Sequence, residues 1–596
     1  MNFSQKRGIS GNNGKPQNRI YTLKRLWDYL MYYKWIIITV IILTIVSNLL
    51  ALVGPLLSGY CIDAIISENN VDFKNVYLFG TLMIVFYLIS SGLSYLISVV
   101  MVNVSKKIVL KMRRDCFESL LKLPVSYFDS NQIGDIISKI SYDIDTVNVS
   151  LSTDLVNICT SVVTVITSLV MMIIISPILV LVFVITIPIA LLFTRFMVRR
   201  TRPMFRNRSK KLGELNGNVE EAFSSLPTIQ AYSRKEDIIA RFDEVNNQAT
   251  TASFKAEVHG GITGPGVNFV NNLSFSLICL FGALLNYYYG LTLGNIQSFI
   301  LYSKKFSGPI NETANIFIEL QSSMAAAERV FNLIDAEKEP VDTIDAINIQ
   351  EKFKDVGDVK LKNVEFSYNK ERKIIKGISF DAKKGEVIAL VGPTGCGKTT
   401  IVNLLMRFYD INKGVISLND TNILDITRKS LRHSYSMVLQ DTWLFEDTIY
   451  NNIAYGATNV TIEDVKRVCK LARVDGFINR LPQGYDTILS EGGVNISKGQ
   501  KQLLTIARAM LLDCDMLILD EATSNVDTRS ELLIQEAMKE LARNKTCFII
   551  AHRLSTIKNA DKILVMKEGQ ILEVGTHQEL LDKEGFYYSL YQSQFE

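Results

Sequence analysis

Residues 392–399 read GPTGCGKT and match the pattern G-x-x-x-x-G-K-[ST]. The match follows an apolar run, Val387–Val391, that predicts a strand, and it precedes a helix-forming run, TIVNLLMRF. In this context glycines let backbone N–H groups surround phosphates, the lysine reaches the β- and γ-oxygens, and the last hydroxyl holds Mg²⁺. The predicted nucleotide site comprises Gly392, Pro393, Thr394, Gly395, Cys396, Gly397, Lys398, Thr399 and Thr400, with Thr399 as a metal ligand.

Cys396 lies inside this loop and allows two interpretations. A thiol near a helix N-terminus is activated, which would suit a redox role; the alternative is a small residue that the loop tolerates. The eight cysteines are scattered through the sequence, with no C-x-x-C pair and no Cys/His cluster. We therefore expect neither a disulfide framework nor a zinc site.

Two carboxylates end a second apolar run, Met516–Asp520 followed by Glu521. Asp520 suits the magnesium shell, and Glu521 suits orienting or deprotonating the attacking water. The alternative is a strand that ends in an exposed acidic turn. Gln440 ends the run SMVLQ and is predicted to contact both metal and water, whereas His552 ends FIIAH and is predicted to contact the γ-phosphate. The predicted catalytic residues are Glu521, His552 and Gln440, and the predicted metal ligands are Thr399, Gln440 and Asp520.

Residues 495–507, NISKGQKQLLTIA, predict a helix whose first turn contains a serine, a glycine and a glutamine. The N-terminus of such a helix can bind an anion, because its first N–H groups are free and the helix dipole is positive there. A complete phosphate loop already lies about a hundred residues upstream. The residues alone therefore leave open which phosphate this second site serves.

The composition indicates a membrane half joined to a soluble half. Of the 596 residues, 48% are hydrophobic and 21% are charged, with a mean hydropathy of +0.18. The net charge of +4 gives no sign of a nucleic-acid partner. Six apolar runs are long enough to cross about 30 Å of hydrocarbon, which takes about 20 helical residues. They are 36–58, 77–100, 155–175, 177–198, 266–289 and 294–318.

The sixth run is the least apolar, because Lys304, Lys305, Glu312 and Glu319 interrupt it. Ionisable groups at membrane depth usually face a protein interior or a water-filled cavity. Alternatively, part of this run lies below the bilayer. The third and fourth runs are separated only by Ser176-Pro177, which predicts a hairpin with a very short turn.

Basic residues predict the orientation in the cell membrane. The segments 104–124 and 199–211 are strongly basic, whereas 61–76 carries one lysine and 287–295 carries none. The positive-inside rule places the basic segments, both termini and the soluble half in the cytoplasm, and the chain is predicted to be multi-pass. No signal peptide is visible, and residues 1–19 are expected to form a disordered cytoplasmic tail.

Each of the two cytoplasmic connections runs for more than fifty residues with helical periodicity. Long helices are therefore expected to extend the spans into the cytoplasm. Each connection carries a break, LPVSYFDSNQIGD at 123–135 and SSLPTIQAYSRKED at 224–237. The break is either an ordinary helix-turn-helix or a docking elbow, with tips near 124–131 and 226–232.

From about residue 337, short β-rich runs alternate with helical segments; the runs are VKLKNVEFSY, GEVIALVG, DMLILDEA, TCFIIAH and KILVMKEGQI. This alternation predicts an α/β domain around a mostly parallel sheet. The predicted fold is an α-helical transmembrane domain with six spans and long cytoplasmic helical extensions, residues 20–336. It is fused to an α/β P-loop nucleotide-binding domain, residues 337–596.

In their order these parts resemble the ATP-binding cassette (ABC) superfamily, and the resemblance covers nearly the whole chain. It rests on Tyr368, the phosphate loop, Gln440, the signature ISKGQ at 496–500, LILDEATSNVD at 517–527 and AHRLST at 551–556. Fused behind six spans, the cassette is similar to that of bacterial half-transporters of the exporter type.

The resemblance implies that two cassettes pair head to tail, with each ATP between one chain's phosphate loop and the other chain's signature. Ser497, Gly499 and Gln500 would then serve the partner's nucleotide, with Ser497 and Gly499 at its γ-phosphate, and Tyr368 would stack on adenine. Two features depart from the family pattern: ISKGQ stands for LSGGQ, and SNVD stands for SALD. Lys498 opposes the helix dipole, although its charge suits phosphate. A homodimer and a heterodimer both stay open.

The implied function is ATP-driven export of a hydrophobic or amphipathic substrate by alternating access, with ATP and Mg²⁺ bound. The expected partners are a second half-transporter, membrane lipid and a small amphipathic substrate, without nucleic acid. Drugs, lipids and peptides all stay open as cargo. The alternatives are a lipid flippase, a non-transporting regulatory membrane ATPase, a soluble cassette ATPase, which the spans oppose, and an importer, which the fusion opposes.

Overall fold

The structure is a computed structural model that describes residues 19–65, 71–369, 372–439, 443–493, 495–520, 527–550 and 557–595. The chain divides into two compact units. The helical unit comprises Met1–Leu121 and Ile133–Ala336, and the cassette unit comprises Lys122–Gln132 and Glu337–Glu596. The cassette unit is therefore discontinuous in sequence, because a short segment between two long helices belongs to it by its contacts.

The described part of the helical unit is almost entirely α-helical. Its helices are Arg19–Met31, Lys34–Ile65, Phe73–Leu120, Ile133–Ser138, Ile144–Val149, Leu155–Ile175, Pro177–Ser224, Leu226–Ala231, Lys235–Gly261, Thr263–Tyr289 and Leu293–Ile334. Two π-helical turns, Lys139–Asp143 and Ser150–Asp154, join the shorter helices that precede Leu155.

Among the described residues, five helical stretches are long and apolar enough to cross a membrane; they are Lys34–Ile65, Phe73–Leu120, Ile133–Ile175, Pro177–Ser224 and Lys235–Tyr289. They contain the first five predicted spans. The sixth predicted span lies in the continuous 42-residue helix Leu293–Ile334, which falls outside this set. Charged residues of the sixth run, such as Lys304 and Lys305, lower the apolar character of this helix, so the sixth span stays a prediction.

The helix Leu293–Ile334 nevertheless has a buried apolar face. Phe299 and Tyr302 are fully buried, and both belong to a core cluster with residues of four other helices. The Tyr302 hydroxyl donates to the Leu52 carbonyl at 2.6 Å, and Ser298 donates to the Pro55 carbonyl at 2.9 Å. These hydrogen bonds fix the last long helix against the first one, where Pro55 interrupts the regular backbone pattern.

The short turn predicted between the third and fourth spans is confirmed. The helix Leu155–Ile175 ends directly before Ser176, which caps the next helix by accepting from the Leu179 N–H at 3.4 Å. Pro177 occupies the start of that helix, where a missing N–H costs nothing.

The two predicted breaks in the cytoplasmic connections are confirmed as short helices. Val125–Ser130 is preceded by Pro124, and Leu226–Ala231 begins after Ser225 with a proline in its first turn. We call residues 122–132 the first elbow and residues 226–232 the second elbow. The first elbow is the segment that belongs to the cassette unit.

Ten strands are described in the cassette unit: β1 Val359–Phe366, β2 Ile375–Ala382, β3 Val387–Val391, β4 Lys413–Leu418, β5 Thr421–Asn422, β6 Tyr435–Val438, β7 Met516–Asp520, β8 Thr546–Ile550, β9 Lys562–Lys567 and β10 Gln570–Gly575. Its α-helices are Val125–Ser130, Ile349–Lys352, Lys398–Leu405, Arg428–His433, Ile449–Ala454, Ile462–Leu471, Asp475–Ile478, Lys498–Leu512, Thr528–Leu541, His577–Asp582 and Phe586–Phe595, with 3-10 turns at Ile423–Asp425, Gly484–Asp486 and Glu491–Gly493.

The main sheet has the strand order β10-β9-β3-β8-β7-β6. All neighbouring pairs in it are parallel except β10 with β9, so the prediction of a mostly parallel sheet is confirmed. A second, antiparallel sheet with the order β2-β1-β4-β5 was not predicted. The run KILVMKEGQI is also not one strand, because Glu568 and Gly569 both have positive φ and turn the chain from β9 into β10.

The core of the cassette unit lies on both faces of the main sheet. Along β3, Ile388 and Leu390 belong to one buried cluster, whereas Ala389 and Val391 belong to the other. A strand covered on both faces reads as a continuous apolar run, as the sequence of β3 does. Its burial fixes the position from which the phosphate loop leaves the sheet.

Candidate functional site

The phosphate loop connects β3 to the helix Lys398–Leu405, as predicted. Gly392 and Gly397 have φ values of 155° and 107°, which side chains disfavour. A Cβ on Gly392 would lie 2.2 Å from the Met566 carbonyl oxygen, and one on Gly397 would lie 2.8 Å from Ile375 Cδ1. The tight turn therefore requires glycine at both positions, and its backbone is held close to β9.

Lys398 is buried, with 6% of its surface exposed. Its Nζ donates to the carbonyls of Gly392 at 2.7 Å and Pro393 at 3.2 Å, so the ammonium group lies across the inside of the loop. A buried cation of this kind is costly unless polar groups surround it. The loop carbonyls meet part of that requirement, and an anion in the loop would meet it better.

Cys396 is buried at the inner side of the same loop. Burial raises the pKa of its thiol, so the unreactive protonated form prevails near neutral pH. Its carbonyl accepts from the Gly569 N–H at 3.2 Å, and its Sγ lies 3.0 Å from the place of a Cβ on Gly392. These contacts favour the small, packed residue over the redox role.

Tyr368 follows β1 and lies beside the helix that the phosphate loop begins. Its hydroxyl donates to Thr400 Oγ1 at 3.2 Å and accepts from Asn403 Nδ2 at 3.3 Å. The ring is 43% exposed and meets the rings of Phe366 and Tyr409 edge to face. The structure thus brings the predicted adenine residue together with the predicted phosphate loop.

Asp520 ends β7 at the carboxyl edge of the main sheet. It pairs in register with Ile550 of β8, and Ile550 pairs with Leu390 of β3, two residues before Gly392. The predicted metal carboxylate and the phosphate loop therefore leave the same edge of the sheet.

Gln440, Glu521 and His552 lie outside the described residues. In the sequence they follow the ends of β6, β7 and β8 by one or two residues. The carboxyl ends of neighbouring parallel strands meet at one edge of a sheet. The three strands that precede these residues therefore end at the edge from which the phosphate loop leaves, and the roles of the three residues stay predictions.

Ser497 is the N-cap of the helix Lys498–Leu512. Its Oγ accepts from the Gln500 N–H at 3.2 Å, and its own N–H donates to Gln500 Oε1 at 2.9 Å, which forms a capping box. Gly499 is buried, whereas Ser497 and Lys498 are exposed. The capping bonds stay within this turn, so Gln500 has a structural role in the helix start.

Arg508 is a residue of this region that the sequence analysis missed. Its guanidinium donates to the Asn452 carbonyl at 2.7 Å, to Asn452 Oδ1 at 3.2 Å and to the Trp443 carbonyl at 3.2 Å. Burial lowers the pKa of Arg508. It ties the helix Lys498–Leu512 to the segment that follows Gln440. Its place inside the apolar run LLTIARAMLL at 503–512 was the sequence signal that could have identified it.

Two arginines of the helix Arg428–His433, the buried Arg428 and the partly buried Arg432, bind the residues that begin the second part of the cassette unit. Arg428 donates to the Pro340 carbonyl and to Asp342 Oδ1, both at 2.8 Å, and Arg432 pairs with Glu339 through two nitrogens. The Glu339 N–H donates to the Lys122 carbonyl at 2.9 Å. The segment that contains Glu339 and Asp342 therefore binds both these arginines and the first elbow.

Two family models match the chain: the ABC transporter transmembrane region over residues 37–310 and the ABC transporter domain over residues 375–524. A solved structure of a bacterial Atm1-family ABC exporter with ATP bound is similar, with a TM-score of 0.75 at 26% identity. The similarity covers 94% of this chain and 98% of that chain. The matched transmembrane region contradicts the alternative of a soluble ATPase.

Curated relatives match over nearly the full length. A Bacillus subtilis (strain 168) protein, named as an uncharacterised ABC transporter ATP-binding protein, is 40% identical over 96% of this chain and 94% of its own. A fatty acid ABC transporter ATP-binding/permease protein of Mycobacterium bovis is 41% identical over 90% and 84%. An ATP-dependent lipid A-core flippase of Idiomarina loihiensis is 35% identical over 96% and 98%. The chain therefore belongs to the ABC transporter family, as an exporter that joins a transmembrane region and an ATP-binding domain in one polypeptide.

Proposed function

We propose that the chain is one half of a dimeric exporter that moves a hydrophobic or amphipathic substrate across the cell membrane by alternating access. Two ATP molecules would draw two cassettes together, and both elbows would transmit this closure to the spans. Near-complete reversal of a two-state population needs about 5 kcal/mol of differential binding. Paired cassettes that each contact the other's nucleotide are suited to supply it.

The observation that carries the proposal is the buried ammonium of Lys398 inside a loop that requires glycine at positions 392 and 397. The loop backbone and Lys398 would hold the phosphates, and Thr399, which is exposed, would ligate the metal with Asp520 and Gln440. When bound, Mg²⁺ neutralises charge on the β- and γ-phosphates. Glu521 would orient the attacking water or take its proton. His552 would contact the γ-phosphate and hold Glu521 and the water in line.

The signature is proposed to serve a partner chain. Accepting from Gln500 leaves the Ser497 hydroxyl with a proton to donate to a phosphate oxygen. The buried Gly499 lets a phosphate approach the backbone closely, and the exposed Lys498 adds positive charge. These features support binding of an anion at the helix start, and the resemblance to the family assigns that anion to the partner's nucleotide.

The second elbow supports pairing with another chain. Tyr232 of this elbow is 76% exposed, and Phe223, which precedes it in the chain, is 73% exposed. Phe223 also lines a cavity of about 510 Å³ together with residues such as Phe242. Exposed aromatic side chains beside an open cavity at the end of a helical hairpin suit a protein partner. A second copy and a different half-transporter are both candidates; co-purification of two differently tagged copies distinguishes them.

The substrate is proposed to be lipid-like or amphipathic. Relatives that match over nearly the full length are named for fatty acids and for lipid A-core. Within the helical unit, a cavity of about 310 Å³ has an almost wholly apolar lining that includes Ile178, Leu181, Leu277, Phe281 and Tyr288. Both support an apolar cargo. A drug exporter and a regulatory ATPase without transport are the remaining alternatives.

Inside-out membrane vesicles test the proposal. We expect ATP-dependent uptake of a fluorescent fatty acid or lipid, and we expect Glu521→Gln to abolish it. Glu540→Gln, on the exposed side of the helix Thr528–Leu541, is the matched control and should leave uptake unchanged. Uptake at the full rate in Glu521→Gln would contradict the proposed chemistry, and ATP turnover without uptake of any tested amphipath would favour the regulatory ATPase.

A further inference from the structure

The first elbow is joined to the cassette unit by a side-chain hydrogen bond between Tyr409 and Asp129. The Tyr409 hydroxyl donates to Asp129 Oδ2. Burial and the neighbouring Asp129 carboxylate raise the pKa of Tyr409, so the phenol keeps the proton that it donates. Hydrogen bonds from a phenol to an ionised carboxylate are among the stronger ones in proteins.

The ring of Tyr409 is part of an aromatic group with Phe366 and Tyr368. The centroids of Tyr409 and Tyr368 lie 4.9 Å apart with an interplanar angle of 88°. Phe366 is buried and meets both tyrosines edge to face, with centroids 4.9 Å from Tyr368 and 5.6 Å from Tyr409. Because the buried ring supports both tyrosines, a shift of one ring changes the space left for the other.

Tyr368 is in turn joined to the helix of the phosphate loop. Its hydroxyl bonds to Thr400 and Asn403, and Thr400 comes two residues after Lys398. An unbroken series of contacts therefore runs from Asp129 through Tyr409 and Tyr368 to Thr400.

We propose that Tyr409 is a positioning residue through which the adenine side of the nucleotide site acts on the first elbow. This inference rests on the proposed function, in which adenine stacks on Tyr368. A base on the exposed face of Tyr368 fixes that ring, the edge-to-face contact fixes Tyr409, and the Tyr409 hydroxyl then holds Asp129 in one place. The phosphates meet Lys398 instead, so the adenine and the phosphates act on different residues.

The elbow also has an anchor that does not involve the nucleotide. The Glu339 N–H donates to the Lys122 carbonyl, and Arg432 holds the Glu339 side chain. Loss of the bond between Tyr409 and Asp129 should therefore leave the elbow docked. Only its response to nucleotide should change.

Hydrogen–deuterium exchange of residues 122–132 tests this in the full chain in lipid nanodiscs. We expect saturating MgADP to slow exchange there by about threefold, the factor that one aromatic pair of ~0.7 kcal/mol supplies. Magnesium tripolyphosphate, which has no base, should fill the phosphate loop without this slowing. Asp129→Ala should bind MgADP as the wild type does but lose the slowing, and Tyr409→Phe, which keeps the ring, should lose it as well.

Two variants serve as matched controls. Asp135→Ala removes an exposed carboxylate nearby in the chain, and Tyr450→Phe removes a phenol that bonds to the Val460 carbonyl at 2.8 Å. Both should keep the response to MgADP.

Three outcomes would overturn the inference. The first is that MgADP still slows exchange of residues 122–132 in Asp129→Ala and Tyr409→Phe. The second is that tripolyphosphate slows this exchange as much as MgADP does. Either result would overturn the role of Tyr409 and leave the proposed nucleotide site standing. If Tyr368→Ala binds MgADP as tightly as the wild type, the adenine contact of the proposed function fails, and this inference fails with it.

Discussion

Ser497→Ala separates two roles of one hydroxyl, that of the helix cap and that of the proposed phosphate contact. The alanine removes the bond from the Gln500 N–H to Ser497 Oγ, 3.2 Å long, from a capping box. Loss of a serine cap costs about 1 kcal/mol, and because Ser497 is exposed we expect the lower end of the range of about 0.5–2. A loss of ~0.5 kcal/mol lowers Tm by about 1–2 °C in a domain of this size.

The effect on ATP turnover should be larger than the cap alone explains. A hydrogen bond to a charged group contributes about 1.5–3 kcal/mol. Losing one to the partner's γ-phosphate converts to a roughly 10- to 150-fold lower kcat/KM for ATP. Phosphate release by the purified full chain measures turnover, and differential scanning fluorimetry of the same sample measures Tm.

Two other capping boxes in the cassette unit provide matched controls: Thr461 with Asp464, and Thr576 with Glu579. Thr461→Ala should lower Tm by a similar amount and leave turnover within about twofold. Ser497→Thr, which keeps a hydroxyl and a cap, should restore most of both quantities. Equal losses of turnover in Ser497→Ala and Thr461→Ala would refute the phosphate contact, since both would then act through stability.

Three further predictions concern stability and reactivity. Arg428→Met should destabilise the cassette unit by about 3 kcal/mol, because it removes a buried guanidinium and leaves the Asp342 carboxylate and the Pro340 carbonyl without it; the unfolding midpoint in urea measures this. N-ethylmaleimide should modify Cys396 more slowly than a peptide thiol at pH 7.5, because burial raises its pKa, and the rate should increase with pH; mass spectrometry of the labelled peptide measures it. The pKa of Asp527 is lowered chiefly by the Ser530 N–H, so its cap stabilises the folded state above the unfolded pKa of about 3.9 and is lost as the pH falls below it; Tm as a function of pH measures this.

Each of these has a control and a contradicting result. Arg467→Met removes an exposed arginine and should change the midpoint little; an equal loss would contradict the assigned role of burial. Labelling of Cys396 as fast as that of free cysteine would contradict a packed thiol. Asp527→Asn caps without titrating, so an unchanged acid dependence of Tm in that variant would contradict the third prediction.

The sequence predicted those elements that local pattern determines. Val387–Val391 and Met516–Asp520 are continuous apolar runs because both faces of the sheet are covered, and the turn at Ser176-Pro177 follows from a cap and a proline. The phosphate loop was predictable because its turn needs glycine at fixed positions. Five spans were predictable from apolar length alone.

What the sequence did not predict depends on contacts between distant residues. The antiparallel sheet escaped notice because β2 contains Gly377 and alternates buried with exposed positions, so no long apolar run marks it. The turn at Glu568-Gly569 was not recognised inside the β-rich run KILVMKEGQI. Tyr409 carries no motif of its own, and its role follows only from the Asp129 and Tyr368 contacts.

The discontinuity of the cassette unit has a consequence for biosynthesis. The first elbow leaves the ribosome about two hundred residues before the polypeptide on which it docks. At roughly 5–20 residues per second, it waits for some ten seconds to a minute. The first elbow can therefore complete the cassette unit only after the later segment has been synthesised. A truncated cassette that starts at residue 337 would leave Tyr409 and the Glu339 N–H without their partners in the elbow. The surface exposed in this way would be open to chaperones or to aggregation.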